Sequence, residues 1–298
     1  MNTAQFGRRD FLRRTAAATL VAGVAGPVAG TFSTASAQQG GLKKAIQINM
    51  LGKNLPDSEK FALAKKCGFE GIEAYPLDDL EASAKLGEAA RAAGVEIHSV
   101  SYGGWNAPMS DPNEAVVEKG LKSIEAGLRS TKAMGATVML LVPAVVTDRV
   151  RYVEAYERSQ ANIKKVLPLA EELKVIVAVE NVWNKFLLSP IEFARYVDEF
   201  NNPWLQAYFD VGNVVIFGYP QDWIRTLGKR IVKIHLKDFK SKGYEWKNLR
   251  EGDVNWPEVR AALAEVGYEG YVTPELSGGD EAYLRDLSER VDLIIAGK

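Results

Sequence analysis

The sequence predicts an α/β fold, a single-domain (β/α)8 TIM barrel, and three observations carry that reading. From residue 43 onward, short apolar runs alternate with amphipathic stretches, and the alternation repeats eight times. Eight such units in roughly 250 residues is the count and size of a (β/α)8 barrel. The rival, a doubly wound open sheet, usually carries a glycine-rich phosphate turn after its first strand. Here the chain reads Ala45-Ile46-Gln47-Ile48-Asn49-Met50-Leu51-Gly52-Lys53, with no such turn.

Taken in order, the expected strands are the apolar runs at 45–51, 71–75, 95–102, 137–142, 175–182, 206–211, 231–238 and 270–276. Helices are expected at 58–66, 80–93, 113–134, 151–173, 189–200, 220–227, 256–266 and 281–295, where apolar residues recur at three- and four-residue spacing. Asp57-Ser58 and Ser189-Pro190 read as helix starts, and Gly94, Gly135 and Gly267 as stops just before a strand. No linker or composition shift divides residues 38–298, so one domain is expected there.

The first 37 residues read differently. Twin arginines in Gly7-Arg8-Arg9-Asp10-Phe11-Leu12-Arg13 precede a mildly apolar run and then Ala35-Ser36-Ala37, a small-x-small cleavage signal. This resembles a twin-arginine export leader, which implies a periplasmic or extracellular location. The apolar run is shorter than the roughly 20 residues of a membrane span, so no permanent anchor is expected. Removal of residues 1–37 leaves 33 basic against 37 acidic side chains, a formal charge of −4. Such a mildly acidic chain lacks the basic footprint of a nucleic-acid binder. Cys67 is the single cysteine, which excludes an intramolecular disulfide and a thiolate metal cluster.

In a barrel, reactive groups sit at the carboxyl ends of strands. The last four expected strands each place one metal-ligand type there: Glu180, Asp210, His235 and Glu275. Singly, each is an ordinary rim or core residue. On four successive strands they can converge, and three carboxylates buried together repel one another unless a cation compensates them. Three carboxylate oxygens and one imidazole suit one divalent ion, Mn²⁺, Mg²⁺, Co²⁺ or Zn²⁺, with open positions for substrate oxygens.

These residues carry a family resemblance. Val179-Glu180-Asn181, Phe209-Asp210-Val211-Gly212-Asn213, His235-Leu236-Lys237-Asp238 and the run from Arg250 to Leu276 resemble the xylose-isomerase-like TIM barrels of sugar isomerases and epimerases. That group includes ketose 3-epimerases and L-ribulose-5-phosphate 3-epimerases. The resemblance implies that Glu180, Asp210, His235 and Glu275 hold the metal and that Glu180 and Glu275 also move protons. The implied reaction abstracts the proton α to a carbonyl through a metal-bound enediolate. A ketose 3-epimerase is the leading expectation, and aldose–ketose isomerisation stays open. A lyase or hydrolase acting on keto-glycosides by the same enolisation is one alternative; a non-catalytic sugar-binding protein is another. A related barrel nuclease of the endonuclease IV type builds a three-zinc cluster from several histidines, which His98 and His235 alone cannot supply.

Further expectations concern a sugar or keto-sugar in the mouth. Lys237 shares the inward face of His235 and is a candidate substrate contact, while Asp238 points away and is read as structural. Glu73 and His98 are candidate pocket-lining residues. Trp105 and Trp183 are candidate apolar walls for a sugar ring. After the fifth strand, Val182-Trp183-Asn184-Lys185-Phe186-Leu187-Leu188 lacks a polar residue that the ketose 3-epimerases carry, which leaves the sugar open. Oligomeric state is likewise open, a homo-oligomer included.

Overall fold

Eight parallel strands close into a barrel in the computed structural model, which describes residues 41–298. The expected leader lies outside the described residues. The chain runs β1 (Leu42–Gln47), α1 (Asp57–Lys66), β2 (Gly71–Ala74), α2 (Leu80–Ala92), β3 (Glu96–Gly103), α3 (Glu114–Met134) and β4 (Val138–Leu141). It continues through α4 (Tyr152–Ile163), α5 (Leu167–Leu173), β5 (Ile176–Glu180), α6 (Pro190–Asp198), β6 (Leu205–Asp210), α7 (Pro220–Leu227) and β7 (Ile231–Leu236). A short antiparallel hairpin, β8 (Asp238–Lys240) and β9 (Glu245–Lys247), precedes α8 (Trp256–Glu265), β10 (Gly270–Pro274) and α9 (Glu281–Ile295). Strands β1 to β7 are neighbours in chain order, and β10 closes the ring between β7 and β1.

Strand alternation sorts side chains into two cores. Val138, Leu140, Ala178 and Tyr208 pack together inside the barrel. The opposite faces pack on the helices: Phe209, between inward Tyr208 and Asp210, meets Trp223 of α7 with ring centroids 6.3 Å apart. Punctuation behaves as the residue chemistry dictates. Ser189 accepts the Glu192 N–H at the start of α6, and Gly94, Gly135 and Gly267 follow their helices at φ 77°, 87° and 68°.

The structure departs from the sequence expectation at three joints. The first strand starts earlier and ends at Gln47, where Ile48–Met50 form a 3₁₀ turn. The helix expected over 151–173 is two, because Pro168 lacks an N–H and starts a new helix at α5 instead of continuing α4. The seventh strand stops at Leu236, and Asp238 opens the hairpin, which the sequence reading did not separate from β7. Among the described residues, no helix is long and apolar enough to cross a membrane.

Candidate metal centre and active site

Parallel register brings the four expected ligands to one level of the barrel. Asp210 pairs with His235 across β6 and β7, and Thr273 pairs with His235 across β10 and β7, which sets Glu275 just above it. One ligating atom from each of Glu180, Asp210, His235 and Glu275 lies within 4.8 Å of all the others. His235 Nδ1 is 2.8 Å from Glu180 Oε1, 2.9 Å from Glu275 Oε2 and 3.9 Å from Asp210 Oδ2. Asp210 Oδ2 is buried and accepts no well-aligned hydrogen bond, with the Lys237 ammonium 3.2 Å away. An imidazole, three converging carboxylates and an orphaned buried oxygen fit a divalent cation.

The loops after β5 and β6 hold Asp210 rigidly. Asn181 binds the Asp210 backbone in both directions, donating to its carbonyl and accepting its N–H, each at 2.9 Å. The Asn213 N–H donates to Asp210 Oδ1 at 2.7 Å, which leaves Oδ2 aimed into the cluster. Lys237 Nζ closes one side, 3.2 Å from Asp210 Oδ2 and 2.8 Å from Glu275 Oε2. Gly212 makes that approach feasible: a Cβ there would sit 2.4 Å from the Lys237 Cβ.

Beneath the cluster lies a polar layer. Glu73 is buried below His235, with Oε1 and Oε2 at 2.9 and 3.1 Å from Nε2. Its carboxylate also accepts from Gln47 Nε2 at 2.8 Å, from Ser99 Oγ at 3.0 Å and from the Tyr208 hydroxyl. With carboxylates at both ring nitrogens, the imidazole carries both protons in the absence of a cation; a cation at Nδ1 would displace that proton and leave the one on Nε2 to Glu73.

The local field spreads the ionisation of the carboxylates. Burial, reinforced by Glu275 and opposed by His235, pushes the Glu180 carboxyl up to about 7. Burial also acts to raise Glu275, but His235 and Lys237 outweigh it and hold that group well below the usual carboxylate range. Asp210 is raised by burial against the pull of Lys237. His235 loses solvation, yet the carboxylates around it, Glu73 foremost, raise it well above an ordinary imidazole.

The other expected site residues divide. Lys237 is at the cluster, as its inward parity implies. Trp183 stands at the mouth: its indole N–H donates to the Asn213 carbonyl at 2.9 Å, and its ring packs on Phe239, Tyr244 and Trp246. Glu73 backs His235 and does not face the mouth. His98 sits toward the amino-terminal end of the barrel, stacked on Tyr271 at 4.4 Å with Nε2 3.2 Å from Thr273 Oγ1. Burial keeps it neutral, and it lines no part of the mouth. Trp105 is half-exposed on the loop after β3 and does not line the cavity beside Glu275. Asp238 is structural: it accepts the N–H groups of Phe239, Arg250 and Val254 and the indole of Trp256.

Sequence reading missed Tyr208, Gln47 and Ser99 beneath the site, and Trp246 beside it. Tyr208 was within reach, since it lies two residues before Asp210 on one strand face. Trp246 was not, because its hairpin went unrecognised.

A closed parallel barrel with a buried Glu/Asp/His/Glu cluster at its carboxyl end defines a sugar epimerase/isomerase-like TIM barrel. Residues 61–292 match the model of the xylose isomerase-like TIM barrel family, and the chain belongs to that family. The L-ribulose-5-phosphate 3-epimerase of Escherichia coli O1:K1 is 26% identical over 245 residues, 77% of this chain and 86% of that protein. Its counterpart in Salmonella paratyphi C is 25% identical over 246 residues, again 77% and 86% of the two chains. A D-psicose 3-epimerase crystallised in the presence of D-fructose superposes with a TM-score of 0.73 at 16% identity, over 86% of this chain and 100% of that one. The E. coli 3-keto-D-glucoside 4-epimerase superposes with a TM-score of 0.69 at 16% identity, over 86% and 98%. These two likenesses concern the fold.

Proposed function

We propose that the chain is a divalent-metal-dependent sugar epimerase or isomerase, exported by the twin-arginine route, and that ketose 3-epimerisation is the reaction its site supports best. One observation carries the reading: Glu180 and Glu275 stand at the carboxyl ends of the outer strands of a four-strand arc, with Asp210 and His235 between them. Two carboxyl groups on opposite sides of the arc offer a base and an acid to the two faces of one carbon. A divalent cation held by Glu180, Asp210, His235 and Glu275 would supply a Lewis acid that makes the carbon beside a ketone acidic.

The chain's own groups do the rest. Glu275 takes the proton from that carbon, and Glu180, reaching from the far strand of the arc, returns one to the opposite face, so the configuration inverts. Lys237 keeps Glu275 ionised and offers an ammonium to a sugar oxygen. Glu73 holds the His235 ring, and the Asn181–Asn213 pair holds Asp210. The curated relatives, both pentulose-phosphate 3-epimerases, support the epimerase class. Loss of a β-substituent after the same abstraction would make the protein a keto-glycoside lyase; the cavity beside Glu275 is the feature that favours this second reading.

The test is proton exchange. Metal-loaded protein is incubated with ketoses and 3-keto sugars in D2O, and the α-carbon proton is followed by NMR. Deuterium incorporation that Glu275→Gln abolishes is the expected result, and the labelled carbon separates epimerase from isomerase. Absence of exchange with every sugar would sink the catalytic reading in favour of a binding protein.

A further inference from the structure

The cavity that opens beside Glu275 is built for more than one sugar, and we infer that it is a subsite for a second, uncharged sugar ring, so that the substrate is a glycosylated ketose or keto-sugar and not a sugar phosphate. This inference rests on the epimerase reading above and narrows its substrate. The cavity encloses about 450 Å³ between the β8–β9 hairpin and the segment leading from β10 into α9. Lys237 and Glu275 form its inner end, so a ligand engaging those two groups continues directly into it. That volume is in the roughly 300–1,000 Å³ range that encloses a drug-sized ligand. A disaccharide fits within that volume, and a single pentulose leaves much of it unfilled.

The walls have the chemistry of a pyranose site. Trp246 and Tyr283 present aromatic surfaces, and Asn248, Ser277 and Lys247 present hydrogen-bonding groups. Flat apolar rings suit the C–H faces of a sugar, and isolated polar groups suit its hydroxyls. Trp246 is 43% exposed, with Lys237 Nζ 5.5 Å from its ring centroid, and it is braced by Trp183 and Phe239 at centroid distances of 4.9 and 5.0 Å.

The same walls are poorly suited to a phosphate. Barrels commonly hold one near the loops after strands seven and eight, with a helix N-terminus and free cations. Here Lys237 is paired with Asp210 and Glu275, and Lys247 with Glu245. The N-terminus of α9 already has an anion: the Asp280 side chain accepts the Tyr283 N–H at 2.9 Å, and Glu281 follows in the first turn. A phosphate dianion would meet carboxylates at each of these cations and at the helix end.

A matched ligand series tests the inference. Dissociation constants are measured by calorimetry on the Mn²⁺-loaded protein for D-fructose, D-fructose 6-phosphate, lactulose and isomaltulose; the last two carry a hexopyranosyl group on O4 and O6 of fructose. At least one disaccharide is expected to bind about ten-fold tighter than fructose, and the 6-phosphate no tighter. Trp246→Ala should collapse the disaccharide-to-fructose ratio toward one, and Trp246→Phe, which keeps an aromatic face, should preserve it. The subsite is overturned if neither disaccharide exceeds fructose, if the phosphate gains instead, or if the ratio survives Trp246→Ala. Deuterium exchange at C3 in the same samples separates the two readings. Exchange on fructose without a disaccharide gain leaves the epimerase and removes the subsite, whereas a disaccharide gain without exchange leaves the subsite and removes the epimerase.

Discussion

Glu73 has no solvent and no access to the mouth, yet it meets four partners, and its position explains why one histidine can serve a site otherwise built from oxygens. A free imidazole can present either nitrogen; once a cation takes Nδ1, the Glu73 carboxylate is the acceptor that holds the proton on Nε2. The histidine in turn holds Glu73 ionised, outweighing the burial that would protonate it. Glu73→Gln keeps the shape but removes the charge that favours Nε2–H. Mn²⁺ affinity of this variant, titrated against a competing chelator, should fall about 10- to 100-fold, the usual cost of losing an outer partner of a ligating histidine. An unchanged affinity would mean that backbone packing alone orients the ring.

At the scale of elements, the hairpin after β7 is what interrupts the strand–helix alternation. It supplies Trp246, and its first residue, Asp238, ties it down by accepting three backbone N–H groups and the indole of Trp256 at the start of α8. Gly252 is required beside it, since a Cβ there would lie 2.1 Å from Asp238 Oδ1. Removal of the carboxylate strands several buried donors at once. Asp238→Ala should therefore cost about 3 kcal/mol or more of unfolding free energy in a urea titration. A loss below about 1 kcal/mol would show that water replaces the carboxylate. Sequence parity correctly turned Asp238 away from the site, but nothing in Asp238 to Lys247 marks two three-residue strands, because runs that short carry no usable period.

For the whole molecule, the described residues close the barrel between Leu42 and Ile295, with β10 pairing onto β1. Under the twin-arginine proposal, export belongs to residues 1–37, and substitution there tests it. Arg8→Lys together with Arg9→Lys should keep the chain in the bacterial cytoplasm with its leader attached, whereas the unsubstituted chain should appear outside it, shortened after Ala37. Fractionation and N-terminal sequencing read both outcomes, and periplasmic recovery of the double variant would end the twin-arginine assignment.

The sequence by itself determined the barrel, its eight units and the convergence of Glu180, Asp210, His235 and Glu275. Each of these depends on local signals: apolar period, turn residues and a reactive side chain at the end of a strand, which fixes the face and the level at which it emerges. Tertiary structure alone decided what stands behind those ligands. Gln47, Glu73, Ser99 and Tyr208 come from four strands and meet beneath His235 only because the barrel closes, and no spacing along the chain encodes that meeting. The same holds for His98, which from its strand could be read as pocket-lining. Register sets it against Tyr271 and Thr273, below the level of the cluster, since a strand side chain's height in a barrel depends on stagger against its neighbours and not on its own sequence.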